Sequence, residues 1–537
     1  MNEHRMELGT KPQKDTFYIL SYDGAPTNEV NGEFTLPDYL PDTRRLLRCA
    51  ATAQITGKFT DGEKGEFEGE VRASVVYMAE DGSAQVFETT LPFSQSISIP
   101  KINQSSVITV HCITESAQCR LSGPRKLHLR IRLRLPCRVL SEVNARPSIH
   151  TDGNTELPVC MQNQRISVTH IAMTEPIIRA YAEDIPSGEN DASIRAILSM
   201  QITPHVTECR ASGDEVLCTG EFLISSLCAL TDADGNETCK PLRARIPFSE
   251  HLSFPEGAMT YSSLNPDITL RDIRYAPSDD GTACSLDFAT EISALGMAEC
   301  ECETVCDAFL PMYDVKPEYT RQSIYRSIKA ATGNFAVSGT LTFDNDESIT
   351  QILDAYCKIK LDSHTQSGSK LTLSGNMEVN AIALCEGGRY LPISGAVAVT
   401  WDTDIGVKDT FDTLICHTEA YPLSIVCRVD EANRALICEA ECAVQTSIGY
   451  VQPHTHITEL NVSENQANVR SEEHPLLLYY PSENESIWDI AKAYRVTPEA
   501  LRLINDLSPD TMVVSKDCRM LFIPSKAEAM HTEDTLV

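Results

Sequence analysis

Positive charge is what this chain has least of. Its 537 residues hold 45 Lys plus Arg against 76 Asp plus Glu, a formal net charge of −31. A surface that acidic repels phosphate backbones, which excludes nucleic acid as a partner class and disfavours anionic membranes outside any local basic patch. Long apolar runs are also missing, and no stretch approaches the ~20 residues that a spanning helix needs. Met1 to Asp15 is polar and lacks the apolar core of a secretory signal, so the expected compartment is the cytosol of the cell that makes the chain. Catalytic signatures are absent too: there is no GxSxG elbow, P-loop, GxGxxG fingerprint or HExxH helix, and no acid pair stands out as an acid/base couple. The expectation is a protein that is not an enzyme and needs no cofactor.

What is present is enough to build cores. Hydrophobic residues make up 42% and charged residues 23%, and the length has room for three or four domains. Twenty cysteines in 537 residues fall below the density of a disulfide scaffold. Without an export signal they are expected as reduced, buried structural thiols. Cys300, Cys302 and Cys306 form the nearest approach to a cluster, and His454 and His456 would share a strand face. Neither group has the further ligands of a structural zinc site, so no metal is assigned.

One local pattern occurs three times. Leu46-Leu47, Ile197-Leu198 and Ile352-Leu353 are each followed, 23 positions after the first residue of the pair, by Gly69, Gly220 and Gly375. Asp81-Gly82, Asp234-Gly235 and Glu386-Gly387 then close each segment. The glycines lie 151 and 155 residues apart, a domain-sized repeat that points to a scaffold. Asp42, Ser193 and Ser348 stand ahead of apolar residues spaced i, i+3, i+4, which predicts a capped helical turn. Beyond the glycine the period becomes two, as in Val71, Ala73 and Val75 or Met377, Val379 and Ala381, which predicts a half-buried antiparallel strand. The Asp-Gly dipeptides suit a two-residue hairpin, and the repeated glycine suits a bulge or a close backbone approach. The fold class expected is mainly β: three tandem antiparallel units at 16–145, 160–313 and 330–462.

Arg130, Arg132 and Arg134 alternate with Leu129, Ile131, Leu133 and Leu135, which puts three guanidinium groups on one strand face. The reading preferred is a solvated face paired with neighbouring acids; a docking face for an acidic partner is the other. A polar linker at 463–474 precedes a segment of different character. Leu476 to Tyr480 reads as a short strand, and Ile487, Ile490, Ala491 and Tyr494 follow at helical spacing behind capping candidates Ser482 and Asn484. Thr497-Pro498 begins a second helix that buries Leu501 and Ile504, and Leu521-Phe522-Ile523 closes as a strand. The module is a compact βααβ.

These residues carry two resemblances. The stretch from Ser486-Ile-Trp-Asp-Ile-Ala-Lys-Ala-Tyr-Arg-Val-Thr through Leu501 and Asn505 to Phe522-Ile-Pro524 resembles a LysM domain over 475–524. Glycan-binding members carry Gly-Asp-Thr before the first helix, where this chain has Asn484-Glu485-Ser486. Upstream, LPDYLPDTRRLLRC from Leu36 and EGEVRASVVYMAEDGSAQVFETTLPFSQSISI from Glu68 resemble the SPOCS domain of spore-coat proteins. The second copy repeats Pro247-Phe248-Ser249 and the third lacks it. Three SPOCS-like units followed by a LysM domain resemble the clostridial coat morphogenetic proteins. What the resemblance implies is an adaptor in the mother-cell cytosol, bound at the forespore surface to a coat morphogenetic ATPase like stage IV sporulation protein A. The LysM domain would then bind protein rather than glycan. Tyr480, Trp488, Arg495, Arg502 and Asn505, around the loops 482–486 and 505–509, are the candidate partner contacts. A peptidoglycan- or cortex-binding protein is the alternative.

Overall fold

The computed structural model describes residues 13–150, 159–189, 192–255, 259–343, 348–408, 411, 413–430, 434–466, 477–515 and 518–524. The segment read as a linker therefore lies mostly outside the described residues, as does the N-terminal stretch before residue 13. The first chain segments are β1 (Gln13–Lys14), β2 (Thr16–Gly24) and β3 (Thr27–Thr35), then a meander of β4 (Thr43–Asp61), β5 (Lys64–Ala79) and β6 (Ala84–Ser98). Four further strands follow: β7 (Val107–Val110), β8 (Ile113–Gly123), β9 (Lys126–Arg134) and β10 (Cys137–Asn144). The meander forms one sheet, β3-β9-β8 faces it, and β2 pairs with β10 and β10 with β7. Pro26 and Pro136 interrupt the two long strands at opposed points, because a proline offers no N–H to the ladder. The apolar row Leu129, Ile131, Leu133 and Leu135 is fully buried against Phe67, Val71, Ala73 and Val75 of the meander.

The same strand order recurs twice more. β11 (Ser148–His150) leads to β12 (Cys160–Met173) and β13 (Ile177–Pro186), followed by a meander of β14 (Ala192–Ser212), β15 (Glu215–Asp232) and β16 (Glu237–Ser253). β17 (Ser263–Pro277) and β18 (Ala283–Phe309) complete the set, with β12, β13 and β17 all pairing onto β18. Next come β19 (Tyr313–Thr342), the meander β20 (Ile349–Ser367), β21 (Lys370–Cys385) and β22 (Tyr390–Asp404), and then β23 (Leu414–Asp430) and β24 (Ala435–Gln466). β19 and β23 pair onto β24. Each meander thus faces a sheet made from the strand before it and the two strands after it. β24 continues to Gln466, past the expected linker start at 463. The chain is mainly β, as its alternating pattern predicts.

The capped helical turns do not form. Asp42 and Ser348 precede strands, Ser193 lies within the start of β14, and the i, i+3 spacing comes from β-bulges. β4 shifts register between Thr43 and Arg45, Leu46 and Arg48, and Ile55 and Gly57. β14 shifts at Ile194/Ala196, Ile197/Ser199 and Val206/Glu208, and β20 at Ile349/Gln351, Ile352/Asp354 and Leu361/Ser363. An extra residue advances the strand's phase by one, so apolar residues three apart fall on one face of a sheet as they would on a helix. Ile194 and Ile197 accordingly share one core.

The repeated glycine sits opposite the third bulge. A Cβ on Gly69 would lie 2.4 Å from the Gln54 carbonyl oxygen, on Gly220 2.2 Å from that of His205, and on Gly375 1.8 Å from that of Lys360. Phe93 and Phe248 from the Pro-Phe-Ser segments pair with Gly69 and Gly220 and cover them, while Val399 pairs with Gly375. The Asp-Gly turns are longer than a two-residue hairpin. The Gly82 N–H donates to the Ala79 carbonyl and only the glycine has positive φ, the pattern of a type I turn followed by a G1 bulge. The two-residue hairpins lie instead at Gly62, Gly213 and Gly368, each with positive φ at the first loop position.

The three sheet pairs close on each other. β6 abuts β14, β16 abuts β20, and β22 returns to β4. Leu47, Leu198 and Leu353, the second members of the repeated pairs and each the extra residue of a bulge, meet in one buried cluster with Val76, Leu227 and Ile382. The first members face the separate cores. Burial of each of the three leucines stabilises the assembly by about 1.5–3 kcal/mol. Leading strands also interlock the arrangement: β1 adds in parallel to β18, and β11 adds in parallel to β24.

The C-terminal residues form β25 (Leu477–Tyr479), α1 (Ile487–Tyr494), α2 (Pro498–Ile504) and β26 (Leu521–Ile523), with β25 and β26 antiparallel. The βααβ order is as expected from the periodicity. No helix among the described residues is long and apolar enough to cross a membrane.

Candidate docking site

The C-terminal module is built on two capped helices. Ser486 caps α1 by accepting from the Asp489 N–H, in place of Ser482 or Asn484, and Arg495 ends the helix at φ 56°. Thr497 caps α2 with Pro498 in its first turn. Ile487, Ile490, Ala491, Val496, Leu501, Val514, Leu521 and Ile523 fill the core between the helices and strands. Asn484 takes φ 61°, the left-handed conformation that glycine adopts most readily, so the loop 482–486 turns without one. The Glu485 carboxylate ties that loop down, accepting from the Ser482 N–H at 2.8 Å and the Tyr479 hydroxyl at 2.6 Å.

The five candidate contacts separate into three environments. Trp488 is 9% exposed and turned toward the β-sheets. Its indole N–H donates to Asp307 at 2.8 Å, and its ring meets Phe309 edge-on at 5.0 Å between centroids. Lys492 donates to the same carboxylate at 2.7 Å, and Arg495 pairs with Asp314 at 2.6 Å. Trp488 and Arg495 therefore dock the module onto the end of β18 and the start of β19. Burial alone would raise the Asp307 carboxyl; the hydrogen bonds from Lys492 and Trp488 together outweigh it and hold it below the usual range.

Asn505 and Arg502 brace the module from within. The Asn505 amide donates to the carbonyls of Leu501 and Phe522 and accepts from the Phe522 N–H at 2.7 Å. Arg502 donates through Nε to the Thr511 carbonyl at 3.0 Å. Tyr480 alone among the five is open, at 71% exposed.

Other residues join Tyr480 at the surface. Met512 is 72% exposed and Leu503 67%, with Val513 and Leu478 about half exposed. A bridge between Ser486 and Val513 and a bond from the Ile487 N–H to the Met512 carbonyl set 511–514 beside the loop 482–486. Spacing could not have found Met512 and Val513, which lie in a loop without periodicity. The acids Asp307 and Asp314 were equally invisible, since their partners lie 181 or more residues away in sequence.

Arg130 and Arg132 of the basic strand are exposed, as its alternation predicts, whereas Arg134 is largely covered at the edge of the first sheet pair. Arg130 pairs with Glu29 at 2.7 Å and Arg134 with Glu115 at 3.3 Å. All twenty cysteines are free, and none is exposed. Burial pushes the thiols of Cys49, Cys112 and Cys357 up to about 12, which keeps them protonated and unreactive near neutrality. Cys300 and Cys302 lie in one apolar cluster, and His454 stacks on His456 at 5.6 Å.

The fold defines a β-sheet protein of recurring meander-and-sheet pairs with a small helical module packed against it. Within it, residues 42–122 match the family model described as SipL, SPOCS domain. That stretch opens on the residue before β4 and ends in β8, so it contains the first meander, its three bulges and Gly69. The match supports a SipL-like protein and suggests a role related to sporulation and the spore coat. No curated protein matches the chain, and no solved structure does.

Proposed function

We propose that the chain is a non-enzymatic adaptor of endospore coat assembly. It would work on the mother-cell side of the forespore surface and tether coat material to a coat morphogenetic ATPase like stage IV sporulation protein A. The three sheet pairs, at 16–145, 160–313 and 330–462, serve as SPOCS-type units, and 475–524 serves as a LysM-type protein-binding module. The observation that carries this reading is the unpartnered apolar surface on the module: Tyr480, Leu503, Met512 and Val513 are all exposed. Exposed apolar and aromatic side chains on one small module are a common mark of a protein-binding surface. Tyr480 is the contact of the original five that remains free to meet a partner. Trp488, Arg495, Arg502 and Asn505 act by holding the module's shape and position.

Capture of the purified ATPase by the full chain is the test. Met512→Asp together with Tyr480→Ala should abolish capture, whereas Arg130→Ala should leave it intact. Capture that survives the double change, or a chain that pellets with insoluble peptidoglycan instead, would favour the glycan-binding alternative or another surface.

A further inference from the structure

The seam between the first and third sheet pairs holds a cluster that the docking account does not use. His417 and Glu419 sit two residues apart on β23, on one face of the strand. His111, in the junction between β7 and β8, points at them from the first sheet pair. Its Nδ1 lies 3.0 Å from the Glu419 Oε1, and the His417 Nε2 lies 3.9 Å from that same oxygen. The ligand atoms of all three residues fall within 4.8 Å of one another, and the two rings stand 4.8 Å apart. The His417 Nε2 is buried and has no hydrogen-bond partner. Beside them is a cavity of about 240 Å³, lined also by Asp23, His364 and Asp362.

We propose that His111, His417 and Glu419 form a divalent metal site that staples the third sheet pair to the first. Two imidazoles and one carboxylate are a borderline donor set that suits Zn²⁺, with water from the cavity completing the coordination. The 3.0 and 3.9 Å separations bracket the roughly 3.4 Å edge of a tetrahedron drawn from metal–ligand bonds of about 2.1 Å. An orphaned, buried imidazole nitrogen costs stability until something binds it, and a cation supplies that partner. A proton on His111 Nδ1 would face Glu419 at 3.0 Å; a metal takes that place, and such a proton leaves to solvent. Arg138 and Arg134 border the cavity and oppose a cation, but each pairs with an acid, Asp23 and Glu115 respectively, at 3.3 Å. The position gives the staple a purpose. The first and second pairs, and the second and third, are joined by chain; among the described residues the third meets the first through side-chain contacts and the Ile19–Ile324 bridge, with β11 added to β24.

Co²⁺ titration of the reduced full chain, followed by absorption, tests the site, with Zn²⁺-dependent thermal shift as a second readout. The expected result is one equivalent with the d–d bands of nitrogen and oxygen ligation and no thiolate charge-transfer band. Both this signal and the Zn²⁺ shift should be lost in His417→Gln and His111→Gln and kept in His251→Ala. Each variant's shift is read against its own metal-free melting point, so a change in intrinsic stability does not affect the comparison. Unchanged binding in the two glutamine variants, a thiolate band, or no binding at all would overturn the assignment.

Discussion

Arg48 and Asp354 occupy corresponding positions in the first and third copies of the repeat, one residue past Leu47 and Leu353, and they form a buried ion pair at 2.6 Å. The second copy has Ser199 there. Arg48 also lies over the Tyr356 ring at 4.6 Å, while its Nε and one terminal nitrogen find no hydrogen-bond partner. The pair thus marks the one seam where the last sheet pair returns to the first, and its charges distinguish three otherwise similar surfaces.

Removing one partner strands the other. Asp354→Ala leaves the Arg48 guanidinium buried without a counter-ion and should destabilise the chain by about 3–5 kcal/mol, read as a lower urea midpoint. The double change Arg48→Met with Asp354→Leu should cost much less, because no buried charge remains.

The glycines opposite the third bulge tolerate no side chain. Gly220→Ala drives a Cβ into the His205 carbonyl, against backbone that cannot swing aside. A loss of about 1–3 kcal/mol is expected, as for other overpacked sites. Gly62→Ala, which meets nothing within 4 Å but has positive φ, should cost about 1 kcal/mol. Paired thermal melts check the order.

Docking of the C-terminal module depends on Asp307. The folded carboxyl is held below its ordinary value of 3.8, so the docked state binds fewer protons than the undocked one at low pH. Its contribution is complete above that ordinary value and falls away as pH drops through the lowered one. Trp488 is one of only two tryptophans, so its emission reports the event. It should shift to the red below about pH 4, and at neutral pH in Asp307→Ala.

His456 adds acid sensitivity of the same sign at a higher pH. Burial, with His454 and Lys101 nearby, pushes its imidazole down to about 4, and both ring nitrogens lack hydrogen-bond partners. A buried base with a lowered folded value is neutral in the native state but gains a proton on unfolding. Stability should therefore fall as pH drops from 6.5 toward 4 and level off below that. His456→Leu should reduce this slope in urea unfolding series.

Much of the β architecture was legible in the sequence because strands buried on one face leave a period of two, as in Val71, Ala73 and Val75. The helices at Ile487 and Pro498 were legible for the same reason at a period near four. The turn ahead of Leu46 was misread because a bulge and a helix both place apolar residues three apart, and only the ladder partner tells them apart. The inward turn of Trp488 was hidden because its partners, Asp307 and Phe309, belong to β18. Candidate contacts on one element cannot be sorted into docking and display until the surface behind them is known.

Localisation in a sporulating cell tests the adaptor reading most directly. The full chain and a chain ending at His474, each with a fluorescent tag, are compared during engulfment. A ring around the forespore from the full chain and a diffuse mother-cell signal from the truncation is the result predicted. A ring from both would contradict it, and would move the recruiting contact to the SPOCS-type sheets.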